Sequence, residues 1–305
     1  MVQQRIRGCA VGTAVGDALG MPLEFGPRQP ADALVREMRA GRLPAGSFTD
    51  DTEMALALGE SLLAHHPLDA ADLAQRFADW YRAGPADIGN QTQAVLSCIA
   101  AGDKWEEAVT AVQRRWPDSA GNGSVMRCWP AALAQWRDLG ALLADSRLQS
   151  QVTHPHAECV AGSAFVNAGI HYLLHGETPA RAVAQALDAA EVPGGLRQAI
   201  EAAPSRKRDE LQNSGWVRHT LESAVWALLT TDSFEEAVVR VANLGGDADT
   251  AATVTGALAG ACYGLDAIPV RWRETVRGQW PFGGDRVWRA DDLAGMADCL
   301  AALCW

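Results

Sequence analysis

The sequence predicts an all-α fold on three observations. Alanine and leucine dominate, and runs of β-branched residues are few. Long stretches repeat their apolar residues with a helical rather than an alternating period. Glycine and proline fall between those stretches. Together they predict one compact domain over residues 1–305, built from roughly a dozen or more helices.

Taken along the chain, helical periodicity covers residues 52–65, 70–82, 104–115, 159–174, 179–190, 217–230 and 234–244. Breakers separate them at Pro67, Gly84-Pro85, Pro117, Gly140, Pro155, Gly176, Pro193-Gly194-Gly195 and Pro204. Asp69, Thr178 and Asp232-Ser233 supply N-caps. Residues 204–214 form the most polar stretch and read as a surface loop. Two more helices are marked by glycine, at Gly8, Gly12, Gly16 and Gly20 and at Gly256, Gly260 and Gly264. Recurrence every four residues lays a stripe along one helix face, at about 1 kcal/mol per glycine relative to alanine. Close backbone approach is the usual compensation, so these two helices are expected to pack tightly at the centre.

With 48% apolar residues the chain can build a sizeable core. A net charge of −11 leaves no basic face to release counterions from nucleic acid, which is not expected as a partner. A small anionic ligand stays compatible, because metals and local cations invert the field within one cleft. The cysteines (Cys9, Cys98, Cys128, Cys159, Cys262, Cys299 and Cys304) are scattered and form no Cys-x-x-Cys pair. They read as reduced thiols, mostly in the core, of a cytoplasmic protein. Arg5 and Arg7 precede an apolar stretch in the manner of a signal peptide, but Asp17 interrupts it and no cleavage site follows. No run reaches the ~18 uncharged apolar residues of a membrane span. The tail holds Trp272, Trp280, Trp288 and Trp305, which suit core packing or a partner surface.

Five segments carry candidate chemistry. Ser47-Phe48-Thr49-Asp50-Asp51-Thr52-Glu53 reads as a helix start, with Thr49 or Asp50 as cap. A cap needs a single acceptor, however, and adjacent carboxylates call for positive charge between them. Hard oxygens of this kind suit Mg²⁺, Ca²⁺ or Mn²⁺. Gly245-Gly246-Asp247-Ala248-Asp249-Thr250 is nearly its mirror. Asp247 and Asp249 do not share a helix face and would converge in a turn that the glycine pair permits. Two such clusters favour a two-metal site over two ordinary caps. Ala120-Gly121-Asn122-Gly123-Ser124-Val125-Met126-Arg127 is either a turn or a cradle of N–H groups for phosphate. Thr153-His154-Pro155-His156 lacks a metal-binding spacing. Asp87-Ile88-Gly89-Asn90 places an acid in a glycine-containing loop.

Taken in order, these residues resemble the ADP-ribosylglycohydrolase family. The set runs from Gly12-x-x-x-Gly16-Asp17-Ala18-Leu19-Gly20 with Glu24, through Phe48-Thr49-Asp50-Asp51-Thr52, Gly121-Asn122-Gly123-Ser124-x-Met126-Arg127 and Thr153-His154, to Gly245-Gly246-Asp247-x-Asp249-Thr250. The resemblance implies an all-α orthogonal bundle with a binuclear Mg²⁺ centre, Mn²⁺ being an alternative. Thr49, Asp50 and Asp51 would hold the metals from one side, and Asp247, Asp249 and Thr250 from the other. The 121–124 loop (Gly121, Asn122, Gly123 and Ser124) and His154 would hold the diphosphate and its ribose. Glu24 would gate or position substrate and water. Asp87 and Asn90 match an Asp-x-x-Asn loop that faces the scissile bond in the nitrogenase-linked branch. Trp216 stands where an aromatic often stacks on substrate, although tyrosine is more usual there.

The implied reaction is hydrolysis of the C1″ bond between mono-ADP-ribose and a modified protein side chain, releasing ADP-ribose. Asp51, Asp87 and Glu24 are each candidates for the general base, and a carboxylate near C1″ would stabilise its oxocarbenium character. Arginine is the expected acceptor, on the Asp87–Asn90 match. The alternatives are a non-catalytic ADP-ribose-binding relative and an immunity protein that binds an ADP-ribosyltransferase toxin.

Overall fold

A computed structural model describes residues 2–304. Fifteen α-helices are found among them: α1 (Val2–Gly20), α2 (Asp50–Ala64), α3 (Ala70–Arg82), α4 (Asn90–Ala100), α5 (Trp105–Arg115), α6 (Trp129–Ala134), α7 (Leu139–Gln151), α8 (Ala157–Leu174), α9 (Pro179–Ala189), α10 (Gly194–Ala202), α11 (Val217–Leu229), α12 (Phe234–Ala242), α13 (Ala248–Tyr263), α14 (Val270–Thr275) and α15 (Ala290–Ala301). A short antiparallel hairpin, β1 (Arg277–Gln279) and β2 (Val287–Arg289), pairs Arg277 with Arg289 and Gln279 with Val287. The all-α class holds.

Each of the seven periodic stretches is a helix, and residues 70–82 match at both ends. Asp69 caps α3 by accepting from the N–H groups of Ala71 and Asp72, and Ser233 caps α12 through Glu236 N. Thr178 makes no side-chain cap; Pro179 opens α9 instead. Two supposed breakers lie inside helices. Gly140 sits in the first turn of α7, where Asp138 accepts from Ala141 N at 3.0 Å, and Gly194 and Gly195 open α10. Glycine in a first turn interrupts nothing, because its N–H has no intrahelical partner there. The polar 204–214 stretch contains short 3₁₀ turns and buries Leu211.

The glycine stripes meet. α1 and α13 run antiparallel with Gly8 against Gly260, Gly12 against Gly256, Gly16 against Ala252 and Gly20 against Asp249. A Cβ added at Gly8 would lie 2.5 Å from the Gly260 carbonyl oxygen, well inside van der Waals contact. Both helices are buried along almost their whole length. One hydrophobic cluster surrounds the pair and draws on every long helix. Trp272, Trp280 and Trp288 are part of it, so the tail tryptophans are core residues; Trp305 lies outside the described residues. The cysteines are unpaired, and Cys9, Cys128 and Cys159 are buried as expected, while Cys299 is exposed. No described helix is long and apolar enough to cross a membrane.

The stripe makes a direct prediction. Alanine normally favours a helix over glycine by about 1 kcal/mol. At Gly256 the added methyl would strike the Gly12 carbonyl, so Gly256→Ala should destabilise by about 3 kcal/mol or more. Gly295 in α15 has open space around its missing Cβ, and Gly295→Ala should stabilise by up to ~1 kcal/mol. Urea midpoints of the two variants test the contrast.

Candidate metal centre and cleft

Asp17 ties the centre together. It is fully buried on α1, and its carboxylate accepts from Thr49 N (2.9 Å), Thr49 Oγ1 (2.9 Å), Thr52 N (3.2 Å) and Thr52 Oγ1 (2.6 Å). The start of α2 is therefore capped by a carboxylate from another helix, and neither Thr49 nor Asp50 caps it. Those side chains are released from capping, and Asp50 and Asp51 line the cleft instead.

The second cluster is built by the glycine pair. Gly245 and Gly246 adopt φ values of +69° and +62°, and a Cβ at Gly245 would meet the Gly26 carbonyl at 2.6 Å. The tight turn lets Gly246 N donate to Gly26 O and Phe25 N donate to Gly246 O, which fixes Glu24 at the cleft edge. Asp247 is the N-cap residue of α13, while Asp249 lies within its first turn rather than before the helix. Asn122 holds Asp247, donating from Nδ2 to Oδ2 at 2.8 Å. Asn213 pins the same turn, donating to the carbonyls of Gly245 (2.7 Å) and Asp247 (3.1 Å).

These segments enclose a cleft of about 550 Å³. Its residues separate by depth. Asp50, Asp51, Asp249 and Thr250 are buried and form the floor; Glu24, Asp87 and Asp247 are half-buried nearer the opening. One oxygen each of Glu24, Asp87 and Asp249 falls within 4.8 Å of the others, an arrangement able to hold a metal ion. One cation, Arg42, reaches the floor, 3.5 Å from Asp249 Oδ2, and it does not offset the acids. Burial, then the charges of Asp17, Asp249, Asp50 and Asp247, push the Asp51 carboxyl well above its ordinary value. Asp249 and Asp50 are raised the same way, with burial the largest cause. Burial lifts Asp17 to about 6 against the pull of its four hydrogen bonds, and lifts Glu53 to about 8. Asp51 Oδ1 is buried with no hydrogen-bond partner. An orphaned carboxylate oxygen among mutually repelling acids fits divalent cations held by hard oxygen donors.

At the other end of the cleft stands His154, with a neutral ring: burial and then Arg127 lower its pKa to about 3. Arg127 is fully buried against Phe77 and donates to Gln149 O and, at 2.7 Å, to Thr153 Oγ1. Thr153 Oγ1 lies 2.7 Å from His154 Nδ1. Thr153 Oγ1 has two lone pairs, so it can accept from Arg127 and still either donate to Nδ1 or accept from it. The ring packs where a Gly123 side chain would be: a Cβ there would lie 2.8 Å from His154 Cε1.

The cleft thus gathers Glu24, Asp50, Asp51, Asp87, Asn90, Gly121, Asn122, Gly123, His154, Asp247, Asp249 and Thr250. Three expected site residues do not line it. Thr49 lies just behind the floor, bonded to Asp17. The Ser124 hydroxyl points into the core, accepting from Ser150 (2.8 Å) and Ser163 (3.2 Å), so its side chain cannot meet substrate. Trp216 pairs its backbone with Gly121, and its ring lines a neighbouring depression with Arg218 stacked on it. Asn122 reaches the cleft, but both amide hydrogens are spent on Asp247 and Thr220. Sequence reasoning quoted Asp17 and Arg127 inside motifs without giving them work, and passed over Phe25 and Arg42. Phe25 lines the cleft at 82% exposure with φ +58°, an uncommon backbone for an aromatic. Nothing in the local sequence signals it.

The fold and this acidic floor define a helical hydrolase of the ADP-ribosylglycohydrolase kind. The sequence profile of that family matches residues 1–304, and the chain belongs to it. It is 37% identical over 283 residues to the ADP-ribosylarginine hydrolase Tri1 of Serratia proteamaculans, spanning 89% of this chain and 75% of that one. It is 34% identical over 277 residues to the ADP-ribosyl-[dinitrogen reductase] glycohydrolase of Rhodospirillum rubrum, spanning 89% and 90%. A solved ADP-ribosylglycohydrolase-related protein complex aligns with a TM-score of 0.81 and 32% identity, over 100% of this chain and 99% of that one.

Two outcomes follow from the crowded floor. In chelator-treated protein, Asp51→Asn should raise the melting temperature, because it removes a buried like charge. Wild type should gain about 2.7 kcal/mol at Mg²⁺ a hundredfold above its Kd, and the variant much less. Metal-free wild type should also lose stability as pH rises from about 4.5 to about 8. Asp17 and Glu53 have folded pKa values raised to about 6 and about 8, above their ordinary 3.8 and 4.5. Their stabilisation is full below the ordinary values and gone above the raised ones. Melting curves against pH, with and without Mg²⁺, check the sign.

Proposed function

We propose that the protein removes mono-ADP-ribose from arginine side chains, cleaving the C1″–guanidino bond and releasing ADP-ribose. The observation that carries this reading is the floor: α2 and α13, some two hundred residues apart in the chain, bring Asp50, Asp51, Asp249 and Thr250 to one cleft with an orphaned Asp51 oxygen. The acceptor follows from the names of the relatives at 34–37% identity, an arginine hydrolase and a dinitrogen reductase glycohydrolase, and from the Asp87–Asn90 loop at the opening.

Asp50, Asp51, Asp247, Asp249 and Thr250 are the cleft residues that would hold two Mg²⁺ ions, or Mn²⁺, and Thr49, whose hydroxyl donates to Asp17 behind the floor, would add only an oxygen lone pair. Bound there, the ions supply the positive charge that fixes a ribose diol and activates a water. The chain's own residues do the rest. His154, kept neutral by burial, lines the cleft beside the 121–123 backbone and is placed to meet the diphosphate or its ribose. Phe25 offers the aromatic face that Trp216 does not. Glu24 and Asp87 flank the opening, where a carboxylate can stabilise oxocarbenium character at C1″ or take a proton from the attacking water. The unpaired thiols suit a reducing cytoplasm.

Incubation of arginine-ADP-ribosylated protein with enzyme and Mg²⁺ should release ADP-ribose, and chelator should stop it. Asp87→Asn should lower kcat by about 10²-fold or more with little change in the protein's melting temperature. Modification that persists in the presence of metal overturns the arginine assignment.

A further inference from the structure

The acidic opening already holds a guanidinium, and it comes from the chain itself. Arg42 donates from Nη1 to Glu24 Oε2 and from Nη2 to Asp87 Oδ2, and Nη2 lies 3.5 Å from Asp249 Oδ2. These carboxylates are the only polar partners of Arg42 among the described residues. They are also the trio whose oxygens fall within 4.8 Å of one another.

The segment that carries Arg42 is anchored on both sides and lightly held between, where Trp272 Nε1 donates to Arg36 O at 3.0 Å, Met38 is buried in the core and Gly41 N donates to Leu43 O at 2.9 Å. On one side Asn243 grips Val35, accepting from its N–H at 2.7 Å and donating to its carbonyl at 2.9 Å. On the other, Arg277 N donates to Gly46 O at 2.8 Å. Residues 39–42 between these anchors are exposed and belong to no helix or strand. The Arg42 side chain itself is 30% exposed. Its partners are less exposed, with the side chains of Glu24 at 8%, Asp87 at 25% and Asp249 at 2%, so withdrawal of the arm requires a second cation to take its place on the carboxylates.

We infer that Arg42 occupies the acceptor subsite between Glu24 and Asp87 as an internal stand-in for the arginine side chain, and so sets how tightly acceptor and product are held. The inference rests on the arginine reading of the acceptor. The substrate's guanidino group is the same planar fork of donors as Arg42, and the same two carboxylates are its natural partners. Only one can be there at a time. When cleavage leaves a free guanidinium between two acids, return of Arg42 displaces it and limits product retention. An occupant present in nine molecules of ten reduces the apparent affinity of any competitor about tenfold.

The test uses full-length, Mg²⁺-loaded protein and methylguanidinium as probe, titrated calorimetrically into wild type, Arg42→Ala and Arg42→Lys. Arg42→Ala should bind the probe about tenfold more tightly, and Arg42→Lys, whose single ammonium cannot span both carboxylates, should fall between Arg42→Ala and wild type. KM for arginine-linked ADP-ribosylated protein should fall in Arg42→Ala by more than kcat changes. Equal probe affinities in wild type and Arg42→Ala, with the arginine substrate still cleaved, overturn the inference and leave the function standing. Loss of kcat in both variants at unchanged probe affinity overturns it too, because Arg42 would then serve the chemistry. If wild type leaves arginine-linked ADP-ribose intact, the acceptor reading falls and the inference with it.

Discussion

The backbone contact between α1 and α13 is the constraint on which the site depends. Side chains would hold two helices 8–10 Å apart; here carbonyl oxygens of one helix fill the places of Cβ atoms on the other. The approach sets register as well as distance. With Gly8 opposite Gly260 and Gly20 opposite Asp249, the C-terminal end of α1 is brought beside the first turn of α13. Asp17 projects from that end to cap α2, and Glu24 follows within a turn. One antiparallel contact thereby aligns three chain segments, and a shift of a single helical turn would separate the acids by about 5.4 Å.

That alignment concentrates negative charge beyond what burial tolerates. Protein interiors accept ionised carboxylates when they are paired or strongly hydrogen-bonded. Asp17 is hydrogen-bonded four times over, yet its pKa still rises to about 6. Asp51 has one oxygen with nothing to accept from. A floor built only for stability would replace such groups with apolar residues of similar size. Keeping them at this depth is costly without a cation, and the mutual repulsion of the acids would favour a divalent ion placed among them. The same repulsion explains why α2 is capped from outside: a cap drawn from Thr49 or Asp50 would turn away donors the floor needs.

The sequence made much of this legible. Helical periodicity located seven of the helices, and glycine spacing pointed to the central pair α1 and α13. The two mirror motifs were legible because adjacent acids beside a hydroxyl are poor caps and good ligands. What stayed hidden was direction. Ser124 sits in the same motif as Gly121 and Gly123, but at the turn its side chain faces α7 and α8 and joins Ser150 and Ser163. Trp216 is one residue from Gly215, which lines the cleft, yet its ring points the other way. Arg42 escaped notice because a lone arginine in an irregular segment carries no periodic signal; only the fold shows where its tip lands. Six helices were not among the stretches read: α4, α7, α10 and α15, and the six-residue α6 and α14, which hold less than two turns of pattern.

The cleft divides into an acidic end and a donor end, and each is kept in its charge state by residues outside it. ADP-ribose demands both, with an anionic diphosphate at one end and a sugar carbon that turns cationic at the other. Burial, and then the nearby Arg127, keep the His154 ring neutral where it lines the cleft. A charged imidazolium there would bind diphosphate more strongly in substrate and product alike, which slows release without lowering the barrier. At the acidic end, Arg42 supplies charge that can be withdrawn when an acceptor arrives. Arg127 is fully buried, whereas the Arg42 side chain is 30% exposed at the cleft opening, paired with Glu24 and Asp87. The two arginines thus do opposite work for one physical reason: the dielectric around a cation decides whether it is a fixture or an exchangeable partner.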